Sequence, residues 1–225
     1  MAAVTPTDAW AVGWATAADE SGDFTGLLDH WDGTAWKSLP LPSGAQIAVL
    51  NAVTAVSPQC VWAVGFDTGD QPVLLHYDGA AWKQLPKPPI DGLYGELNAL
   101  TADGPDDVWA VGRVVTTETD RGHALVMHWN GSKWLQAKAP AKAGPLSSAA
   151  TAPGGLLAVG LDTAQDEGIA VQWNDDAVRL QTLPSPVDGT PARPTGVEVN
   201  GGAATVVGSD GNPGAPTPML LTGLL

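Results

Sequence analysis

The sequence predicts an all-β propeller of about five four-stranded blades, the last blade lacking its outer strand. Three observations carry this expectation. Trp-Ala-Val-Gly occurs at Trp10–Gly13, Trp62–Gly65 and Trp109–Gly112, with weaker forms at Leu157-Ala158-Val159-Gly160 and Thr205-Val206-Val207-Gly208. The glycines at 13, 65, 112, 160 and 208 step by 52, 47, 48 and 48 residues, so the chain repeats at a period near 48. Finally, 27 Gly and 19 Pro in 225 residues punctuate short apolar runs, and helical periodicity is sustained nowhere. Four short strands per repeat is the size of one propeller blade, whereas leucine-rich and helical repeats have other periods or contain helices.

The second repeat shows the grammar most clearly. Leu50–Val56 alternates as a first strand, Ser57-Pro58-Gln59 turns, and Val61–Phe66 is a buried second strand anchored by Trp62. A loop at Asp67–Gln71 leads to a third strand, Pro72–Tyr77. Asp78-Gly79 signals a two-residue turn into a fourth strand from Trp82, which Pro86–Pro89 stops. Repeat one places its third strand at Leu27–Trp31, its turn at Asp32-Gly33 and its fourth strand from Trp36. Repeat three starts near Leu97–Ala102, continues at Ala124–Trp129, turns at Asn130-Gly131 and resumes at Trp134. Repeat four keeps Trp173 but has Leu180 at the next Trp position. Repeat five offers strands at Gly196–Val199, Ala204–Gly208 and Met219–Thr222. The repeats run approximately 1–46, 47–94, 95–145, 146–193 and 194–225, as one domain. Nine of the ten Trp fall at equivalent positions (10, 62, 109; 31, 129, 173; 36, 82, 134), which marks them as packing between blades. Trp14 is the one left over.

The order of Trp-anchored strand, loop, His30-Trp31-Asp32-Gly33 and Trp36-Lys37-Ser38-Leu39-Pro40 resembles bacterial propeller repeats of the Asp-box (BNR-like) and photosystem-assembly-factor type. The Trp-Ala-Val-Gly repeats resemble those of actinobacterial proteins. Asp32 to Trp36 is one residue shorter than the Asp-box spacing, and the Ser/Thr before the Asp is absent. The resemblance implies the propeller fold. Asp-boxes are structural turns in enzymes and non-enzymes alike, so it implies no activity. The expected closure is a ring of five blades with a three-stranded last blade; a fragment of a longer array is the alternative. The unpaired outer edge is a possible site of edge-strand oligomerisation.

A net charge of −14, with only ten Lys and Arg placed singly, excludes nucleic acid and anionic membrane surfaces as expected partners and favours neutral or cationic ones. No apolar run approaches a membrane span, and MAAVTPTDAW has neither the basic nor the apolar region of a signal peptide. The compartment stays open: cytoplasmic for the chain as written, secreted for a processed or truncated form. Cys60 is the single cysteine, which excludes an intrachain disulfide and a Cys-based metal site, and it reads as core filler.

Candidate chemistry is sparse. His30, His76 and His128 share one repeat position, with Gln172 at the fourth equivalent. Equivalent positions of different blades stand apart around a ring, so a hydrogen bond within each blade is expected, not a metal site, and no cofactor is expected. Asp32, Asp78 and Asn130 read as turn formers. The loops between second and third strands collect eleven of the 24 acidic residues: Asp19, Glu20 and Asp23; Asp67 and Asp70; Glu118 and Asp120; Asp162, Asp166 and Glu167; and Asp210. They form the candidate ligand-binding face. Arg113, Arg121, Arg179 and Arg193 occupy unlike repeat positions, so no arginine cluster for a substrate carboxylate is expected, and no nucleophile, phosphate or metalloprotease motif is present. The expected function is a non-catalytic binding or interaction module that engages a ligand or protein through the loop face. The alternatives are a carbohydrate-active enzyme, hydrolase or lyase, using loop carboxylates as acid and base, and a structural fragment of a larger secreted multiblade protein.

Overall fold

The computed structural model describes residues 1–16, 23–174, 177–185, 187, 189–212 and 214–223. Among these residues nineteen strands form five antiparallel meanders. Blade one holds β1 (Ala2–Thr5), β2 (Asp8–Thr16), β3 (Phe24–Trp31) and β4 (Trp36–Ser38). Blade two holds β5 (Ile47–Ser57), β6 (Cys60–Asp67), β7 (Pro72–Tyr77) and β8 (Trp82–Gln84). Blade three holds β9 (Tyr94–Gly104), β10 (Asp107–Val115), β11 (His123–Trp129) and β12 (Trp134–Gln136). Blade four holds β13 (Ala143–Ala152), β14 (Gly155–Asp162), β15 (Gly168–Asn174) and β16 (Val178–Thr182). Blade five holds β17 (Ala192–Asn200), β18 (Ala203–Asp210) and β19 (Pro218–Thr222), with no fourth strand among the described residues. This is the propeller architecture that the period predicts. Among the described residues no helix is long and apolar enough to cross a membrane.

The repeated tetrapeptide is explained position by position. A strand's side chains alternate between faces, and each internal blade is buried on both. Trp62 and Val64 point with Leu74 into a core shared with Leu97, Leu125 and Met127 of blade three. Ala63 points the other way, with Val73 and Leu75, against Trp10 and Leu28 of blade one. The same division builds the interfaces between blades three and four and between four and five. The terminal glycine serves a different need. A Cβ at Gly65, Gly112, Gly160 or Gly208 would lie 2.0, 1.9, 2.1 or 2.2 Å from the carbonyl oxygen of Val49, Glu96, Pro145 or Arg193 on its own blade's first strand. The ladder shifts register at the same place in each of these blades, so the glycine admits a bulge of the inner strand.

Three expectations need correction. Among the described residues, no shared apolar core closes the five blades into a ring. Four apolar clusters join five blades, and among the described residues none joins the last to the first. Leu27 on blade one is 38% exposed, and Val207 and Leu220 on blade five are 44% and 68% exposed, although their counterparts in the internal blades are buried. The Asp-Gly and Asn-Gly turns are four-residue connections, not two-residue ones: β3 ends at Trp31 and β4 starts at Trp36. Asp32 Oδ1 accepts the Thr34 and Ala35 N–H groups, Asp78 Oδ1 those of Ala80 and Ala81, and Asn130 Oδ1 those of Ser132 and Lys133. The following glycines take φ of 91°, 89° and 84°, where a side chain would be strained. Finally, the first strands begin earlier than alternation indicates, at Ile47, Tyr94 and Ala192, because the bulge interrupts the alternation.

The histidines bond within their own blades as expected. His30 Nε2 lies 2.9 Å from Asp8 Oδ1, and His128 Nε2 lies 2.7 Å from Asp107 Oδ1. In blade two the acid's place is taken by Cys60, whose Sγ is 3.6 Å from His76 Nε2. Cys60 is therefore a partner of a histidine as well as a half-buried packing residue. Burial pushes the pKa of its thiol up and that of His76 down, so it favours the neutral form of each.

Candidate functional site

The acidic loop residues divide into two kinds. Asp67, Asp162 and Asp210 stand at the ends of β6, β14 and β18, and their carboxylates fold the loops that follow. Asp67 Oδ1 accepts the N–H groups of Gly69 and Gln71 at 2.8 and 3.0 Å. Asp162 Oδ1 accepts those of Asp166 and Glu167, and Asp210 Oδ1 that of Thr217. In blade three Asp120 does the same work, taking the N–H groups of Thr116, Thr117 and Gly122 and the Thr116 hydroxyl. The hydroxyl bond first, and then the backbone bonds, hold its carboxyl well below the usual range. Burial alone would raise the Asp67 carboxyl, but the Lys87 ammonium and the two N–H groups outweigh it and hold it low.

Asp23, Asp70, Glu118, Asp166 and Glu167 are exposed. Asp19 and Glu20 lie outside the described residues. The structure brings only some of the acids together. Asp23, Asp67 and Asp70 line one groove of about 540 Å³, where the loop end of blade one meets the start of β5 and the β6–β7 turn. Asp70 also borders a neighbouring hollow of about 320 Å³ with Tyr94, Glu96 and Arg113. Glu118 contacts the Tyr94 hydroxyl at 3.4 Å, whereas Asp166 and Glu167 belong to the separate loop of blade four. Among the described residues, no three His, Cys, Asp or Glu are grouped to hold a metal ion.

The groove has an aromatic wall that the sequence did not announce. Trp14 and Phe24 meet edge-on, with ring centroids 4.7 Å apart at 72°, and are 52% and 47% exposed. Phe66 lines the same groove from blade two. Trp14, Phe66, Arg113, Leu161 and Ser209 all follow the repeat glycine, so this is a variable position beside a constant one. The one usable sign in the sequence is that Trp14 alone escapes the three periodic Trp sets. Three arginines are committed elsewhere. Arg113 pairs with Glu96, Arg121 donates to the Ala164 carbonyl, and Arg193 donates to the Gln165 carbonyl, which ties the loops of blades three, four and five together.

No family model matches the chain, and no curated protein matches it. Solved structures do. YCF48 bound to a D1 peptide superposes with a TM-score of 0.59 at 16% identity, covering 98% of this chain and 67% of that one. The six-bladed fucose-recognising lectin of the fungus Aleuria aurantia gives 0.54 at 15% identity, covering 97% and 80%. A putative 6-phosphogluconolactonase from Bacteroides uniformis gives 0.51 at 14% identity, covering 96% and 68%. At these identities the likeness defines the fold, a β-propeller, on which the chemistry of a site is set by its own loops.

Proposed function

We propose that the chain is a single propeller domain acting as a non-catalytic binding module, and that the groove between blades one and two is its recognition site. The observation that carries this is that the exposed Trp14–Phe24 pair lines the same groove of about 540 Å³ as Asp23 and Asp70. Aromatic faces beside carboxylates suit a ligand that combines an apolar surface with a positive charge, such as a peptide segment bearing Lys or Arg. A chain of net charge −14 attracts such a segment at long range. A carboxylate acting as a general acid needs a raised pKa, and every clear carboxylate shift among the described residues is downward. The fold is also one on which a peptide-bound protein is built.

The test is an immobilised array of peptides that pair Lys or Arg with an apolar residue, alongside the same peptides with Glu and a panel of fucosylated glycans. The basic peptides are expected to bind, and to bind at least tenfold more weakly to Trp14→Ala and Asp70→Asn. Binding of the glycans alone, or of basic peptides equally by both variants, would replace this reading.

A further inference from the structure

Near the end of its third strand each four-stranded blade carries an aromatic hydrogen-bond donor: Trp31, Tyr77, Trp129 and Trp173. Three of the four give their ring hydrogen to a backbone carbonyl. Trp31 Nε1 donates to Pro6 at 3.2 Å, Trp173 Nε1 to Lys138 at 3.0 Å, and the Tyr77 hydroxyl to Gly79 at 3.1 Å. Trp129 differs. It is half-buried, and among the described residues its indole N–H has no hydrogen-bond partner. Trp129 lines a hollow of about 300 Å³ between blades two and three, together with Trp134 of its own blade and Leu85, Pro86 and Pro88 of the connection that leaves blade two.

The equivalent hollow between blades one and two, of about 450 Å³, is built alike from Tyr77, Trp82, Leu39, Pro40 and Pro42. The shape therefore belongs to the repeat, but the polar equipment does not. Ala80 and Ala81 stand in that hollow where Ser132 and Lys133 stand in the other. The turn differs as well. In blades one and two its acid pairs with a fourth-strand lysine, Asp32 with Lys37 and Asp78 with Lys83. Blade three has the neutral Asn130 there, and among the described residues the exposed Lys133 has no acidic partner. Lys87, the other cation lining the hollow, is held by Asp67. Two donors without acceptors, one neutral and one cationic, thus border an aromatic and proline-lined hollow on a chain of net charge −14.

We propose that this hollow is a second recognition site, for a proline-rich segment of another protein that bears an acidic residue beside its prolines. A polyproline II segment makes no internal hydrogen bonds, so its carbonyls are open to a donor, and its rings suit an aromatic-lined groove. One carbonyl takes the Trp129 N–H, as carbonyls of this chain take those of Trp31 and Trp173. Proline rings pack on Trp129 and Trp134, and the acid meets Lys133 in a charge-assisted hydrogen bond. This inference does not rest on the aromatic groove between blades one and two. The two sites share no lining residue, and their charge preferences are opposite.

The experiment uses the full chain and the blocked peptide acetyl-Pro-Pro-Glu-Pro-Pro-amide, measured by titration calorimetry. The peptide carries a single acid because the net charge of −14 repels anions at long range. One-to-one binding to wild type is expected. Lys133→Glu, at an exposed site that should leave thermal unfolding unchanged, is expected to weaken it about fivefold. Trp129→Phe keeps a ring but loses the N–H, and should also cost about fivefold. Replacing the peptide's Glu with Gln should weaken binding to wild type and make no difference to Lys133→Glu, as a direct pair requires. Replacing its prolines with Gly should abolish binding. Absence of binding to wild type, or equal binding of the Gly peptide, overturns the proposal. Unchanged binding to Lys133→Glu, or to a folded Trp129→Phe variant, overturns it as well.

Discussion

Trp10 of blade one meets Trp82 of blade two edge-on, with ring centroids 5.2 Å apart at 78°. Trp62 and Trp134 repeat the contact between blades two and three at 5.5 Å and 81°. A second-strand Trp thus seats against the fourth-strand Trp of the following blade, and the residue opposite each seat decides what a Trp is worth. Trp36, the blade-one equivalent of Trp82 and Trp134, has no described blade before it and is 45% exposed, against 8% for Trp134.

Equivalent residues should therefore differ in cost. Trp134→Ala is expected to destabilise by about 3–5 kcal/mol, the usual range for an aromatic core truncation. Trp36→Ala should cost roughly 1 kcal/mol or less, as exposed substitutions do. Urea unfolding of both variants, followed through the remaining tryptophans, checks the difference.

Gly112→Ala tests the bulge. The added methyl would sit 1.9 Å from the Glu96 carbonyl oxygen, which is backbone and cannot swing aside. A loss of about 1–3 kcal/mol is expected, the typical cost of overpacking. A variant as stable as wild type would mean that the inner strand shifts without penalty.

Asp67→Ala should loosen the turn between β6 and β7. It leaves the Gly69 and Gln71 N–H groups and the Lys87 ammonium without their acceptor, at about 1–3 kcal/mol. The native carboxyl titrates lower than the unfolded one, so its contribution is complete above ~pH 5 and is lost as pH falls through the carboxylate range. Acid unfolding of the variant should be less steep below ~pH 4 than that of wild type.

His76 acts in a separate window. Burial lowers its pKa, Asp78 opposes the shift, and Lys83 adds to it. The unfolded chain then binds the proton more readily than the native one, so stability rises with pH through the region around ~6.5 and falls as pH drops below it. His76→Gln, which copies Gln172 of blade four, should flatten that slope between ~pH 5 and 7. An unchanged slope would place the sensitivity elsewhere.

Blade number, strand order and the role of the periodic tryptophans were legible because the same solution is written several times in one chain. What escaped has local causes. The N-terminal halves of the inner strands were hidden by the bulge and by residues such as Gly95, Pro145 and Pro194, which usually weaken a strand. The acidic loops were read as one face, but a carboxylate that folds its own loop and one that faces solvent look alike in sequence. Asp67 and Asp70 show both outcomes three residues apart. The aromatic wall of the groove was hidden because Trp14 and Phe24 become neighbours only when β2 and β3 pair. The exposure of Leu27 was hidden as well, since it is as apolar as its buried equivalents and, among the described residues, no apolar cluster takes it in.

Among the described residues the core is divided into four separate clusters, each shared by two neighbouring blades. Energy in such an array is a chain of nearest-neighbour couplings, like a row of magnets joined at their faces. Among the described residues blades one and five each share a cluster with one neighbour only, and blade five has three strands, so opening should be easiest in blade five and travel inward. Amide exchange would show a gradient along the sequence, fastest in β17–β19 and slowest in blades two to four, in place of one protection factor for the whole molecule.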